Sequence, residues 1–281
     1  MASATSPAKT AESRDHRDWI EWLARAGYIA KGVVYLIIGV LAVQVAMGDG
    51  GQTTGAKGAL AVIAGEPFGQ TLLVLTGIGL IGYALWRIVQ AVTDPDDEGS
   101  DSKGIAVRVA YAGSGILHVM LAIEAFRIAM GSAGGGGNDG SAQHWTRQLM
   151  EQPFGIWLVG AAGGAALAGG AVQIYRAYSA KFMGKLRTQS MNSTERTWSE
   201  RIGRAGFAAR GVVFFVIGGG LVNAAMTTDP SEAVGFGQAL SQLSGTSYGP
   251  WVLGLVAVGL AAYGAFCAGV LGRYRRIFID T

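Results

Sequence analysis

Six long runs of hydrophobic residues, separated by polar and glycine-rich stretches, dominate the pattern of this chain. Each run holds about 20 mostly apolar residues, the length that a helix needs to cross the hydrocarbon core of a bilayer. Backbone polar groups in lipid must be satisfied within their own segment, so we expect helices rather than strands. The pattern predicts an all-α membrane protein with six transmembrane helices, near residues 28–47, 70–92, 107–130, 154–176, 207–226 and 250–272.

The six runs come in three pairs that share one sequence unit. YIAKGVVY at 28–35 returns as FAARGVVF at 207–214, and a weaker copy, YAGSGILH, occupies 111–118. An arginine followed by small residues precedes each copy, at Arg25, Arg108 and Arg204. A turn of proline, an aromatic residue and glycine leads into the second helix of each pair. Repeats of this kind predict three tandem helical hairpins around a pseudo-threefold axis along the membrane normal.

The unit divides the chain into segments. We expect a cytoplasmic N-terminal tail with an interfacial helix (1–23), followed by the first repeat (24–93), an acidic linker (94–106), the second repeat (107–180), a basic linker (181–202) and the third repeat (203–276). Trp19 and Trp198 lie among charged residues ahead of the first and third repeats, and both stretches are predicted to be short helices at the headgroup level. Half-apolar segments at 58–63, 145–150 and 237–243 predict a turn or two of helix in the outer loops.

Positive charge is distributed unevenly between the two sides of the predicted bundle. If the N-terminus is cytoplasmic, 19 of the 22 Lys and Arg residues lie on the cytoplasmic side and 3 on the other. The positive-inside rule therefore predicts that both termini lie in the cytoplasm. This topology also explains the basic isoelectric point near 9.0 without a nucleic-acid partner. The expected partners are the lipid bilayer and a second membrane protein.

The order of these motifs resembles the bacterial domain-of-unknown-function 1206 family, whose members carry tandem copies of a two-helix unit. The matching features are the Arg-Ala-Gly-aromatic start, the Gly-Val-Val-aromatic core, the Gly-Ala-Leu loop segment at 58–60 and the Pro-Phe-Gly turn. The second copy departs at Ser114, where the others have Lys31 and Arg210. The resemblance implies a fold and a location in the plasma (inner) membrane of a bacterium, and it implies no chemistry.

Catalytic and metal-binding patterns are not found in the sequence. The G-x-G-x-x-G match at 77–82 falls inside a predicted membrane helix, where glycines favour close packing over nucleotide binding. The acidic run at 94–101 lacks the Glu that a calcium loop has at its twelfth position. It reads as a solvated linker, or as a partner for Lys181, Lys185 and Arg187 on the same face. The chain is thus expected not to be an enzyme, and to use no cofactor and no metal.

Ionisable residues inside the predicted spans are the candidate functional residues, because such groups are costly in a membrane. His118, Glu124 and Arg127 share the third helix, where the last two can pair at i, i+3. The position of Arg127 in the repeat is taken by Gln44 and Asn223 in the other copies, so the three predict a polar level on the axis.

Two interpretations remain open for each of these sets. Glu124 and Arg127 form either an interfacial pair or part of an ion site. Lys31 and Arg210 contact either lipid headgroups or an anion.

Two functions follow from these interpretations. The small-residue packing faces and few buried charges favour a structural or interaction protein, a scaffold or accessory subunit of a larger complex. The alternative is a small-solute or ion carrier that uses a polar site on the pseudo-threefold axis. An axis filled by side chains would favour the first function, and a hydrated axis lined by these residues would favour the second.

Overall fold

The computed structural model describes residues 7–132 and 140–277, so residues 1–6 of the predicted tail lie outside it. Within these residues the elements are helical. Their bounds are α1 Pro7–Met47, α2 Ala56–Gly65, α3 Gly69–Thr93, α4 Ser102–Ala129, α5 Gly140–Met150, α6 Gly155–Ser179, α7 Ser193–Thr227, α8 Phe236–Ser244 and α9 Gly249–Ala265. A π-helical segment, Phe266–Leu271, extends α9 into a last turn, α10 (Gly272–Tyr274).

Six of these helices are long and apolar enough to cross a membrane: α1, α3, α4, α6, α7, and α9 with its extension. The chain is therefore an all-α multipass membrane protein, as the sequence predicts. The bundle has a linker end, which carries the connections between repeats, and a loop end, which carries α2, α5 and α8. These three short helices occupy the predicted outer-loop segments.

The segments around Trp19 and Trp198 differ from the expected interfacial helices. Trp19 lies within the continuous 41-residue α1, and Trp198 lies within the 35-residue α7. Asn192 begins α7 with a capping box, since its side chain accepts from the Glu195 backbone while Glu195 accepts from the Asn192 backbone. The capped start of α7 lets this helix extend past the apolar region.

The turns before α3 and α6 share one geometry, which explains the motif that they have in common. Phe68 and Phe154 adopt a left-handed conformation (φ 62°) and point outward, 85% and 79% exposed. The next residue, Gly69 or Gly155, packs against carbonyl groups at the end of the preceding loop helix, where a Cβ atom would collide with them. The aromatic residue thus faces the surroundings, while the glycine permits a tight reversal of the chain.

The spanning helices form a ring in the order α1, α3, α4, α6, α7, α9, and three equivalent contacts join the repeats. Helices α3 and α4, α6 and α7, and α9 and α1 pack against each other across these contacts. At each contact the arginine of one repeat donates to carbonyl oxygens at the end of the preceding helix pair. Arg108 donates to Ala91 and Val92, Arg204 to Tyr178, and Arg25 to Gly272 and Arg273. A cation at a helix C-terminus also offsets the helix dipole.

The ring is open within the second repeat. Helices α1 and α3 pack together, as do α7 and α9, whereas the described residues show no comparable contact between α4 and α6. In the two closed hairpins, Gly27 and Gly206 press against the backbone of the facing helix, so a Cβ at Gly206 would come within 2.7 Å of the Tyr263 Cα. The second repeat has Ala110 at this position. Ala110 is exposed, whereas Gly27 and Gly206 are buried.

Candidate functional site

Lys31 is the most deeply buried cation of the first repeat. Its side chain leaves α1 inside the ring, and the residue is only 5% exposed. The ammonium group donates a 2.7 Å hydrogen bond to the Tyr83 phenol oxygen and lies 4.4 Å from the centre of that ring. It also lies 6.0 Å and 5.7 Å from the ring centres of Tyr35 and Tyr263. The surroundings of this charge are therefore aromatic.

Arg87 shares the same acceptor as Lys31. Its Nε donates to the Tyr83 phenol oxygen at 2.7 Å, and its Nη1 donates to Gln90 at 2.9 Å. The guanidinium lies 4.9 Å from the ring centres of both Tyr83 and Tyr111. One phenol oxygen thus accepts from two cations, which brings two positive charges close together.

Arg210 is the third cation, and it repeats the arrangement of Lys31. Its Nη1 donates to the Tyr263 phenol oxygen at 2.7 Å, and its guanidinium lies 5.4 Å from the centre of the Tyr35 ring. The Arg210 Nε is buried without a hydrogen-bond partner. Because Lys31 and Arg210 both lie against Tyr35 and Tyr263, the three cations form one group. We call Lys31, Arg87 and Arg210 the cationic cluster.

The positive charge of the cationic cluster is not neutralised in place. No ion pair within residues 7–132 and 140–277 involves Lys31, Arg87 or Arg210. Their side-chain acceptors are phenol and amide oxygens rather than carboxylates. An uncompensated buried cation is costly, so such an arrangement marks a place where an anion is favoured.

His118 lies beside this cluster. Its ring centre is 4.4 Å from that of Tyr83, and its Nδ1 is 2.7 Å from the Ser114 carbonyl oxygen. A carbonyl only accepts, so Nδ1 carries the proton and donates. The structure therefore brings together three of the residues singled out in the sequence: His118, Lys31 and Arg210.

The repeat shows where the cluster is incomplete. Tyr83 and Tyr263 each follow the turn glycine by 14 positions, so both closed hairpins carry a cation paired with a tyrosine. The second repeat has Ser114 and Gly169 at the corresponding positions. It lacks both members of the pair, and it is the hairpin whose helices do not pack.

A network of charged side chains lies at the linker end of the bundle. Asp96 accepts from Gln90 at 2.6 Å, from Arg275 at 2.7 Å, and pairs with Lys185 at 3.2 Å. Lys185 also pairs with Glu98 at 2.5 Å. The predicted pairing of acidic and basic linkers is thereby confirmed for Lys185. We call Asp96, Glu98, Lys185 and Arg275 the charged clasp.

Burial and neighbouring charges within the charged clasp shift the pKa values of Asp96 and Lys185. Burial raises the pKa of Asp96, but the positive charges of Arg275 and Lys185 outweigh it and hold the pKa below its usual value. Burial lowers the pKa of Lys185, but Asp96, Tyr111 and the hydrogen bond to Glu98 together outweigh it, so the net pKa is raised. Both groups therefore stay charged across the neutral range.

The remaining predicted site residues lie towards the loop end, and each has a local neighbour. Arg127 is 60% exposed at its side chain and pairs with Glu124 at 3.8 Å. Asn223 is exposed and donates to Glu232 at 2.8 Å. Gln44 packs against Gly51 in the loop after α1. The structure does not bring Gln44, Arg127 and Asn223 into contact with one another, so a shared polar level remains a prediction.

Apolar side chains fill the interior between the cluster and the loop end. Ile38 on α1, Ala125 on α4 and Val213 on α7 belong to one buried core, and the short helices α2 and α8 add Leu60 and Leu240. All five residues are at most 1% exposed. The loop half of the axis is therefore packed.

Sequence reasoning missed Arg87, Tyr83 and Tyr263. The sequence contains a signal for the two tyrosines, because they occupy the same repeat position in the first and third copies. The second copy has Gly169 at that position. The sequence contains no such signal for Arg87, because Gln173 and Cys267 occupy the equivalent positions in the other repeats.

Comparison with known proteins places the chain among related sequences. The model of the family described as Domain of Unknown Function (DUF1206) matches three times, at residues 26–94, 109–180 and 205–275. A curated relative, "Uncharacterized protein YxxB" of Bacillus subtilis (strain 168), is 34% identical over 253 residues, which is 90% of each chain. No solved structure matches. The resemblance noted in the sequence is confirmed.

Proposed function

Because the chain belongs to the DUF1206 family, whose description assigns no activity, we propose a function from its own geometry: a membrane interaction protein, an accessory subunit or scaffold, and neither an enzyme nor a carrier. The packed loop half of the axis carries this proposal. A carrier needs a route through the bundle, whereas Ile38, Ala125 and Val213 fill that region with buried apolar groups. The linker end is proposed to face the cytoplasm of a bacterial plasma membrane, on the charge asymmetry of 19 to 3.

The open second repeat supplies a surface for a partner helix. Gly163 of α6 packs against Val222 of α7. At the neighbouring Gly164, by contrast, a Cβ atom would have no other atom within 4 Å. Gly160, one turn earlier, meets only Ala225 at 3.6 Å. Small residues spaced by four let a second helix approach closely in lipid. The proposed partner is therefore a transmembrane helix of another protein, which packs along this face of α6.

Substitution of Gly164 tests this proposal. Gly164→Leu adds a bulky side chain on the open face, so the chain is expected to fold normally but to lose its partner. Gly219→Leu is the matched control, because Gly219 on α7 is also exposed with nothing within 4 Å. The measurement is in-membrane crosslinking followed by purification in mild detergent. A discrete complex that persists in Gly164→Leu would overturn the assigned face.

The cationic cluster is the observation that favours the alternative, a carrier of small anions. The distinguishing measurement is anion exchange by the purified chain in proteoliposomes. Transport that Glu124→Gln or Lys31→Met abolishes would replace the scaffold proposal. Intact vesicles without exchange, together with a partner lost in Gly164→Leu, support it.

A further inference from the structure

We propose that the cationic cluster binds an oxyanion, a phosphate or carboxylate group, which reaches it laterally between α4 and α6 beside Ser114 and Gly169. This site uses different residues from the partner surface at Gly160 and Gly164 of α6. It rests on three features of the described residues: the charge balance, the unused donor, and the break in the repeat.

The charge balance of the cationic cluster and the charged clasp together is positive. Lys31, Arg87, Arg210, Lys185 and Arg275 supply five positive charges, while Asp96 and Glu98 supply two negative ones. Both carboxylates are engaged by Lys185, and Asp96 is also engaged by Arg275. An anion among the three cluster cations converts their mutual repulsion into attraction.

The donors of the cluster suit an oxyanion. Arg210 uses Nη1 on Tyr263 and keeps a buried Nε without an acceptor. A guanidinium presents parallel N–H groups that match two oxygens of a phosphate or carboxylate. The Lys31 ammonium group has three N–H donors, and one of them donates to the Tyr83 phenol oxygen. A monatomic anion offers a single acceptor atom, so it would not match the parallel N–H groups of a guanidinium.

The break in the repeat gives the route. In the first and third repeats a paired cation and tyrosine fill the space between the two helices. In the second, Ser114 and Gly169 supply neither member of the pair, and the described residues show no comparable packing between α4 and α6. Ser114, His118 and Arg210 are partly exposed, unlike Lys31. The proposed route therefore runs from the surroundings of α4 and α6 to the cluster.

The same chemistry comes from two sources, an anionic lipid headgroup or a free anion. The test uses the purified full chain in neutral detergent at constant ionic strength and follows thermal unfolding. One arm adds inorganic phosphate against chloride. The other adds phosphatidylglycerol against phosphatidylcholine in mixed micelles. A shift in the first arm assigns a free anion, and a shift confined to the second assigns a lipid headgroup.

Variants show whether any shift belongs to the cluster. Arg210→Gln and Lys31→Met are expected to weaken the apparent affinity by about tenfold or more, since each removes a charged donor. Arg127→Gln, at the loop end, is the control and should bind like the native chain. Each variant is compared with and without ligand, so a change in its own stability does not affect the result. The proposal is overturned if neither arm gives a shift, or if Arg210→Gln and Lys31→Met bind as well as Arg127→Gln.

Discussion

Lys31 and Tyr83, 52 positions apart in the chain, meet through a 2.7 Å hydrogen bond between the first and second helices of one repeat. Arg210 and Tyr263 make the same contact in the third repeat, also at 2.7 Å. The pair therefore belongs to the repeated unit and not to one local environment. Its absence from the second repeat, which has Ser114 and Gly169, coincides with the open hairpin.

The first prediction concerns the acceptor of this pair. Tyr83→Phe leaves Lys31 and Arg87 without their shared oxygen, and we expect a loss of about 2 to 5 kcal/mol of stability, since a hydrogen bond to a charged group contributes about 1.5–3 kcal/mol. Tyr263→Phe should cost roughly half as much, because Tyr263 accepts from Arg210 alone among the cations. Thermal unfolding in detergent measures both. Tyr178→Phe, at an 82% exposed position, is the control. Equal stability of Tyr83→Phe and Tyr178→Phe would contradict this account.

The sequence predicts the spanning helices because their signal is local. About 20 apolar residues in a row need no knowledge of the rest of the chain. The outer-loop helices and the importance of Lys31 and Arg210 were also accessible, since both are repeated at fixed spacing.

Contacts between distant residues were not accessible in this way. Arg87 donates to Tyr83 and to Gln90, and Gln90 in turn donates to Asp96. These contacts exist only in the packed bundle. The polar level of Gln44, Arg127 and Asn223 was inferred from spacing alone. In the structure, loops of different length in the three repeats give Asn223 and Gln44 different neighbours, Glu232 and Gly51.

The second prediction concerns the pH dependence of the charged clasp. The pKa of Asp96 is lowered in the folded chain, so its stabilising contribution is present above the ordinary value of 3.8 and is lost as the pH falls through the lower folded value. Asp96→Asn leaves Arg275 unpaired and should cost about 3 kcal/mol at pH 7. We expect the difference from the native chain to shrink below about pH 4.

The neighbouring residue provides a control for this measurement. Asp97 is exposed, and Asp97→Asn keeps a side chain that tolerates its positive φ of 53°. Unfolding is followed as a function of pH for the native chain and both variants. A stability difference for Asp96→Asn that is constant from pH 7 to pH 3 would show that the ion pair with Arg275 is not the cause.

The third prediction tests the proposed orientation. Cys267 is the single cysteine of the chain and is fully buried, so the native protein should not react with a maleimide while folded. Ser247→Cys at the loop end and Ser100→Cys at the linker end place a thiol at exposed positions. In intact cells a membrane-impermeant maleimide is expected to label Ser247→Cys only. Ser100→Cys should react after the membrane is permeabilised. The reverse pattern would place the termini outside.

The fourth prediction concerns the difference between the closed and open hairpins. Valine is introduced at the same repeat position three times, as Gly27→Val, Ala110→Val and Gly206→Val. A Cβ at Gly27 or Gly206 collides with the backbone of Tyr83 or Tyr263 on the facing helix, which cannot move without separating the helices. We expect each of these two variants to lose roughly 3 kcal/mol or more, at the upper end of the cost of overpacking.

Ala110 is exposed, because α4 does not pack on α6 at this point. Ala110→Val should therefore cost only the difference in helix propensity, roughly 0.5 kcal/mol. Thermal unfolding of the three variants under one condition makes the comparison. If Ala110→Val is as damaging as Gly27→Val, then α4 is held against another helix at this level, and the second repeat is closed. If it is tolerated while the other two are not, the three copies of one sequence unit have two different roles: two hairpins that close the ring, and one that leaves it open beside the cationic cluster.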